Sequence, residues 1–339
     1  GGRAIVVFVV MLAGISTLTA LIAPPIYSLL TVEPEAAARL RESVAGSATT
    51  VPDLPGFGAW LTSLVPVNPV KAAVDGAMLP LIVFTLAFAF AMRFLADRER
   101  LPLMAFFRGV SEAMLVLVRW VLWLAPVGIG ALALSLGARL GTGAAGAVGF
   151  YLATHMLLLA LAIGVMYIVA FTASQVPIAR FARAILPAQA VAASTRSTLA
   201  AIPAMLDAAE NKLGFSRETS GFIIPFAVSI FRLNLAVSWI VGGLFVAKLY
   251  GIDFPIASIV TFGVAAVLMS FSVPGIPSGS LFIIAPLFPQ VGLPVEGVGI
   301  LIALDALPDV LKTTLNATAQ MTATSIVARG SRSGPAPGE

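Results

Sequence analysis

Six apolar stretches, at residues 4–30, 77–95, 113–136, 144–171, 221–249 and 295–328, are each long enough to cross a lipid bilayer. A hydrocarbon layer about 30 Å thick takes roughly 20 residues of helix at about 1.5 Å per residue. Within it a spanning segment must satisfy its own backbone N–H and C=O groups, and runs of this length do so as helices. The expected fold is therefore an all-α, polytopic, multi-pass membrane protein. Composition agrees, because 59% hydrophobic and 11% charged residues with a mean hydropathy of +1.01 lie outside the usage of water-soluble domains.

The same composition removes several function classes. There is no Cys, hence no disulfide framework and no thiolate metal site, and the single His155 argues against a His-based metal centre or a Ser-His-Asp triad. No metal and no cofactor are expected. The net charge of +4 and pI near 9.8 come from Lys and Arg in short loops between spans. They read as topology determinants, and a nucleic-acid partner is not expected. The start, Gly1-Gly2-Arg3, has no Met and no signal-peptide character, so it reads as the beginning of a partial or trimmed chain.

Two further segments, 177–212 and 254–293, are each interrupted near the middle. The first breaks at Ala193-Ser194-Thr195-Arg196-Ser197-Thr198, the second at Ser270-Phe271-Ser272-Val273-Pro274-Gly275-Ile276-Pro277-Ser278-Gly279-Ser280. Non-helical backbone at membrane depth survives only where protein buries it or it lines a cavity, so both are expected to be re-entrant helical hairpins. Each hairpin precedes a full span, which makes the pair a duplicated unit. The distribution of basic residues gives the sense of the duplication. With Arg3 inside, Arg93, Arg98, Arg100, Arg108, Arg180, Arg183, Lys212, Arg217 and Arg329 are inside as well, and far fewer fall outside. The hairpins then enter from opposite faces, as an inverted repeat whose paired discontinuous helices mark a transporter's substrate site.

The last span carries Asp305, Asp309, Lys312, Asn316 and Gln320 at i, i+4, i+7, i+11 and i+15, one face of a continuous helix. Ionisable groups at this depth must face protein, water or ligand. Elsewhere the expectations are plainer. His155 is read as a hydrogen-bonded core residue, Arg119 as a contact to a neighbouring helix or to headgroups, and the tail from Gly330 as disordered.

These features, in order, resemble the dicarboxylate/amino acid:cation symporters, which include the glutamate transporters. The resemblance covers residues 2–330. It rests on Val65-Pro66-Val67-Asn68-Pro69, Leu79-Pro80, Ala125-Pro126-Val127-Gly128, Thr195-Arg196-Ser197 with Pro203, Gly275-Ile276-Pro277, and Asp305-Ala306 with Asp309, Asn316 and Thr318. It implies that the chain starts at the family's third helix and lacks the first two. It implies an elevator-type carrier, with residues 1–32 and 139–330 in the transport domain, 68–138 in the scaffold, an outer loop at 33–67 and a tail at 331–339. Within the transport domain the pieces are hairpin 177–212, helix 217–249, hairpin 254–293 and helix 295–328. A homotrimer in the lipid bilayer, moving a small amino acid or dicarboxylate, is part of the same implication.

Residue by residue, the resemblance gives Asp309 the substrate's ammonium and Lys312 a side-chain carboxylate, where acidic-substrate relatives place Arg. Thr313 and Asn316 become further substrate contacts. Thr198 and the run Ile276, Pro277 and Gly279 become the hairpin tips that close over the ligand. Arg196, Arg232, Asp305 and Gln320 would set the site's charge or its coupling. Sodium-driven relatives carry Asn-Met-Asp-Gly-Thr in the penultimate span, but here the stretch is Phe231-Arg232-Leu233-Asn234-Leu235, and Gln320 replaces an Asp. Those changes remove ligands that sodium needs. Two readings of Arg232 stay open: a fixed cation standing in for sodium, and a bridge to Asp305 or Asp309. The expected function is a secondary transporter of an amino acid, acidic by preference, independent of sodium and either proton-coupled or exchanging. The alternatives are a non-transporting or channel-like relative, and an intramembrane enzyme using Asp305 and Asp309 as acid and base.

Overall fold

A computed structural model describes residues 2–32, 34–42, 66–74, 78–272 and 279–330, and among these every regular element is helical. The first span, α1, is Gly2–Ser28. Its Phe8, Leu12, Ile15, Thr19 and Ala23 are buried on one face, while Val6, Val10 and Leu21 are exposed on the other. An apolar outer face is what a helix bordered by lipid presents, since hydrocarbon is as good a neighbour for Val as protein is. Three segments among the described residues have the length and composition to cross a membrane: Gly2–Ser28, Gly146–Ser174 and Arg217–Tyr250.

Short helices α2 (Pro34–Glu42) and α3 (Pro69–Val74) follow, so the segment expected as an outer loop contains a helix. Next come α4 (Met78–Met92) and α5 (Asp97–Ser174). The second of these corrects the sequence reading. The stretches 113–136 and 144–171, expected as separate spans around a loop at Arg139, run as one helix of 78 residues, about 117 Å long. The residues between the two stretches allow this, since Gly137, Gly141 and Gly143 each cost a helix only about 1 kcal/mol relative to Ala. Arg119, Trp120 and Trp123 lie where only the backbone is described.

The first hairpin is α6 (Ile178–Thr195), a turn from Arg196 to Ala201, and α7 (Ile202–Asp207), extended by a π-helical turn at Ala208–Lys212. Arg196 is left-handed, with φ of 51°. A non-glycine residue there costs roughly 1–2 kcal/mol, held by the turn around it. The Thr195 hydroxyl accepts the Ser197 N–H at 3.1 Å and supports that turn. The second hairpin is α10 (Ile256–Met269), a 3-10 turn at Ser270–Ser272, then α11 (Gly279–Ile284) and α12 (Leu287–Gln290). Its tip, including Ile276 and Pro277, lies outside the described residues.

Both spans that follow the hairpins are themselves divided, which the sequence reading missed. The penultimate one is α8 (Arg217–Ile230) and α9 (Leu235–Tyr250), parted at Phe231-Arg232-Leu233-Asn234. The last is α13 (Glu296–Leu304) and α14 (Pro308–Val327), parted at Asp305-Ala306-Leu307. Pro308 supplies the local reason for the second break, since it has no N–H and crowds the residue before it. The repeated unit is thus a broken hairpin followed by a broken span, twice over.

The two spans sit at the centre. From Leu235 to Ala247 α9 is buried on every side, as expected of an all-apolar helix enclosed by others. It packs on α1 and α10, while α14 packs on α5, α6 and α8. Gly243 permits the closest of these approaches, because a Cβ there would lie 2.6 Å from the Phe262 ring and 2.9 Å from Phe254. At its C-terminus α9 stops at Gly251, left-handed with φ of 64°, and the Ile252 N–H returns to Ala247 O at 2.9 Å.

Candidate functional site

A break inside a buried helix releases backbone groups that must find partners away from water. Here side chains of neighbouring helices supply them. Phe231 O accepts from Gln320 Nε2 at 3.0 Å, and Ala227 O lies 3.5 Å from the same nitrogen. The Arg232 N–H goes to Ser270 Oγ at 2.9 Å, and that hydroxyl donates to Ile230 O at 3.3 Å. The Asn234 N–H goes to Asn316 Oδ1 at 2.9 Å. The break between α8 and α9 is therefore fastened by α14 on one side and by the second hairpin on the other.

Across from it, Lys312 Nζ donates to Asp305 Oδ1 at 2.6 Å and to Oδ2 at 2.8 Å, and stands 3.6 Å from Asp309 Oδ1. The residues are deeply enclosed, with 2% exposure for Lys312, 1% for Asp305 and 8% for Asp309. Ions taken out of water cost several kcal/mol each unless paired and hydrogen-bonded, and this grouping pairs one ammonium with two carboxylates. Asp305 closes α13 rather than continuing α14, so the five polar residues are not one stripe along a single helix. Asp305, Asp309 and Lys312 meet because Lys312 reaches back over the break. Asp309 Oδ2 is buried without a hydrogen-bond partner. Thr313 donates its hydroxyl to Asp309 O at 2.8 Å.

Arg232 settles differently from one of its two expectations. It makes no bridge: among the described residues no carboxylate lies within 4.0 Å of its guanidinium. Nη1 instead donates to Thr198 Oγ1 at 2.9 Å, and Nε is buried with no partner. The reason is geometric. Asp305 is already taken by Lys312, while the Ser270 contact holds the Arg232 backbone where its side chain reaches Thr198 in the turn of the first hairpin.

The structure thus brings Thr198, Arg232, Asn316 and Gln320 together around one break, and Asp305, Asp309, Lys312 and Thr313 around the other. Arg196 sits at the tip of the first hairpin, and Gly279 opens α11. Sequence reasoning placed Ser270 in the second hairpin's break without giving it a role, though it joins hairpin and span, and it missed Gln189, whose amide donates to Thr318 Oγ1 at 2.8 Å while its oxygen accepts from Tyr167. A buried Ser at the hairpin turn was the available signal for the first; the second had none. His155 is buried between Tyr151 OH at 3.2 Å and Ser238 Oγ at 3.0 Å, a satisfied core residue as expected.

Buried, discontinuous helices in two successive hairpin-and-span units, with fixed charges at their breaks, define a multi-pass membrane carrier architecture. The profile of the sodium:dicarboxylate symporter family matches residues 1–330, and the chain belongs to that family. The neutral amino acid transporter B(0) of Mus musculus is 31% identical over 246 residues, 70% of this chain and 44% of that protein. The proton/sodium-glutamate symport protein of Bacillus subtilis is 27% identical over 267 residues, 78% of this chain and 62% of its own length. The proton/glutamate-aspartate symporter of Escherichia coli is 27% identical over 275 residues, 81% and 62% respectively. The chain spans about half the length of the curated relatives it matches. A family of symporters is one of transporters, which sets the intramembrane-enzyme reading aside.

Proposed function

We propose that this chain is the substrate-carrying part of a secondary transporter for an amino acid, and that it works without sodium. The observation behind the substrate class is the buried, partnerless Asp309 Oδ2, an anionic acceptor held beside the break of the last span. A substrate ammonium is the group that satisfies it. The observation behind the coupling is Gln320. Carbonyls at the C-terminal ends of half-helices are where transporters of this architecture coordinate their cations. Here the Gln320 amide already donates to Phe231 O and faces Ala227 O. Neutral nitrogen donors stand where an ion would need oxygen ligands and negative charge.

The preference for an acidic side chain rests on Lys312, whose ammonium is engaged by Asp305. A substrate carboxylate reaches it only by sharing or replacing that contact. The family relatives named for neutral amino acids and for glutamate leave both side-chain classes within the proposal. Uptake of radiolabelled aspartate, glutamate, serine and alanine into proteoliposomes, with sodium exchanged for choline at fixed pH, tests it. Uptake of one of them that survives the exchange is the expected result. Binding without uptake would make the chain a non-transporting relative.

A further inference from the structure

Arg232 carries a charge that no carboxylate among the described residues answers. The residue is 8% exposed, and among the described residues no carboxylate stands within 4.0 Å of it. Its five N–H donors face one neutral acceptor, Thr198 Oγ1, and Nε is buried with nothing to donate to. An uncompensated ion in a protein interior costs several kcal/mol. The arrangement is held all the same, with the Arg232 backbone fixed to Ser270 and its neighbour Asn234 fixed to Asn316. Proximity to the carbonyl end of α8 offsets part of the cost through the helix dipole, yet Phe231 O there is already taken by Gln320.

Among the described residues four buried side-chain atoms have no hydrogen-bond partner: Tyr27 Oη, Arg232 Nε, Asp309 Oδ2 and Gln320 Oε1. Two of them belong to charged groups, one cationic and one anionic, on the two helix breaks that α14 ties together. An amino acid carries one group of each opposite sign. Lys312 is the other deeply buried cation, but Asp305 and Asp309 answer it with two negative charges.

We propose that Arg232 binds the α-carboxylate of the substrate, with Thr198 holding the guanidinium in position, while Asp309 takes the ammonium. This rests on the amino acid reading above. It places the α-carboxylate anchor in the penultimate span and leaves Lys312 to the side chain. A planar guanidinium suits the role because it offers two parallel donors to two carboxylate oxygens.

Calorimetry on the purified protein tests it, using the panel member that binds most tightly and the amine left when its α-carboxylate is removed. Wild type is expected to bind the amine far more weakly than the amino acid. Arg232→Gln should weaken every amino acid of the panel by a similar factor, about 100-fold, and should close the gap to the amine. Arg232→Lys should recover part of the loss, with melting temperature and circular dichroism confirming that both variants fold. A folded Arg232→Gln protein that binds alanine and aspartate as wild type does overturns the assignment. So does a loss confined to aspartate and glutamate, which would make Arg232 a side-chain anchor, or saturable stabilisation of wild type alone by chloride that amino acids do not compete. If wild type binds no amino acid of the panel, the transport reading itself falls.

Discussion

Lys312 reaches back across the break in the last span to hold Asp305 through both carboxylate oxygens, at 2.6 and 2.8 Å. The contact joins α13 to α14 where the backbone between them is interrupted, so the ion pair acts as a tie across a gap. On the proposed function it would also limit the positive charge offered to an incoming substrate.

Removing the ammonium should leave the buried Asp305 carboxylate without the cation that now pairs with it. Lys312→Met is expected to destabilise the protein by about 3–5 kcal/mol, whereas Lys312→Met with Asp305→Leu should recover most of that. Thermal unfolding in detergent, followed by tryptophan fluorescence, gives the comparison. Equal losses in the single and double variants would mean that Asp305 does not need Lys312.

Side-chain selectivity is a separate matter. Where Lys312 assists an acidic substrate, Lys312→Ala should shift uptake from glutamate and aspartate toward serine and alanine. An unchanged ranking in a variant that still transports would leave the residue only its tie to Asp305.

Asp309→Asn keeps the size of the side chain and removes the charge meant for an ammonium. It should weaken amino acid binding by about 2–5 kcal/mol, with little effect on succinate or malate. If succinate binds wild type better than any amino acid and the variant keeps that affinity, Asp309 is not an ammonium partner.

Replacing sodium by choline should change wild-type uptake less than tenfold, a difference below about 1.4 kcal/mol. Arg232→Met, Leu233→Asp and Gln320→Asp introduced together should create sodium dependence by returning oxygen ligands and negative charge to the break, seen as sodium-dependent binding of the amino acid. A wild-type rate that collapses in choline would show that an ion still binds despite the Gln320 contacts.

Gly243→Val should force Phe262 and Phe254 apart, because even a Cβ meets them at 2.6 and 2.9 Å. Overpacking of this kind costs typically about 1–3 kcal/mol. The melting temperature should fall, while Gly2→Val, with open space around it, should leave it unchanged.

Membrane class, the first hairpin and the polar residues of the last span were legible in the sequence because each is a local signal. Ser, Thr and Arg crowd the turn after Thr195, and ionisable residues interrupt an otherwise apolar run. The break at Phe231-Arg232-Leu233-Asn234 was not legible, since it contains neither Gly nor Pro. It persists because Gln320, Asn316 and Ser270 satisfy its backbone groups, partners up to 89 residues away. Pro308 did announce the other break, but the regular spacing of Asp305, Asp309 and Lys312 argued for a continuous helix. The pairing of Lys312 with Asp305 was one of several arrangements open to those residues. Only packing selects among them.

Gln320 reaches Phe231 O through a covalent tether. A dissolved ion at the same carbonyl would arrive from one compartment and leave into the other, and its transmembrane difference in chemical potential would be available to drive accumulation. A tethered amide makes the same contact in every stage of a cycle that keeps α8 and α14 together, and so transfers no work between compartments. On the proposed sodium-free reading, net uptake would then run only down the substrate's own gradient or on whatever other species crosses with it.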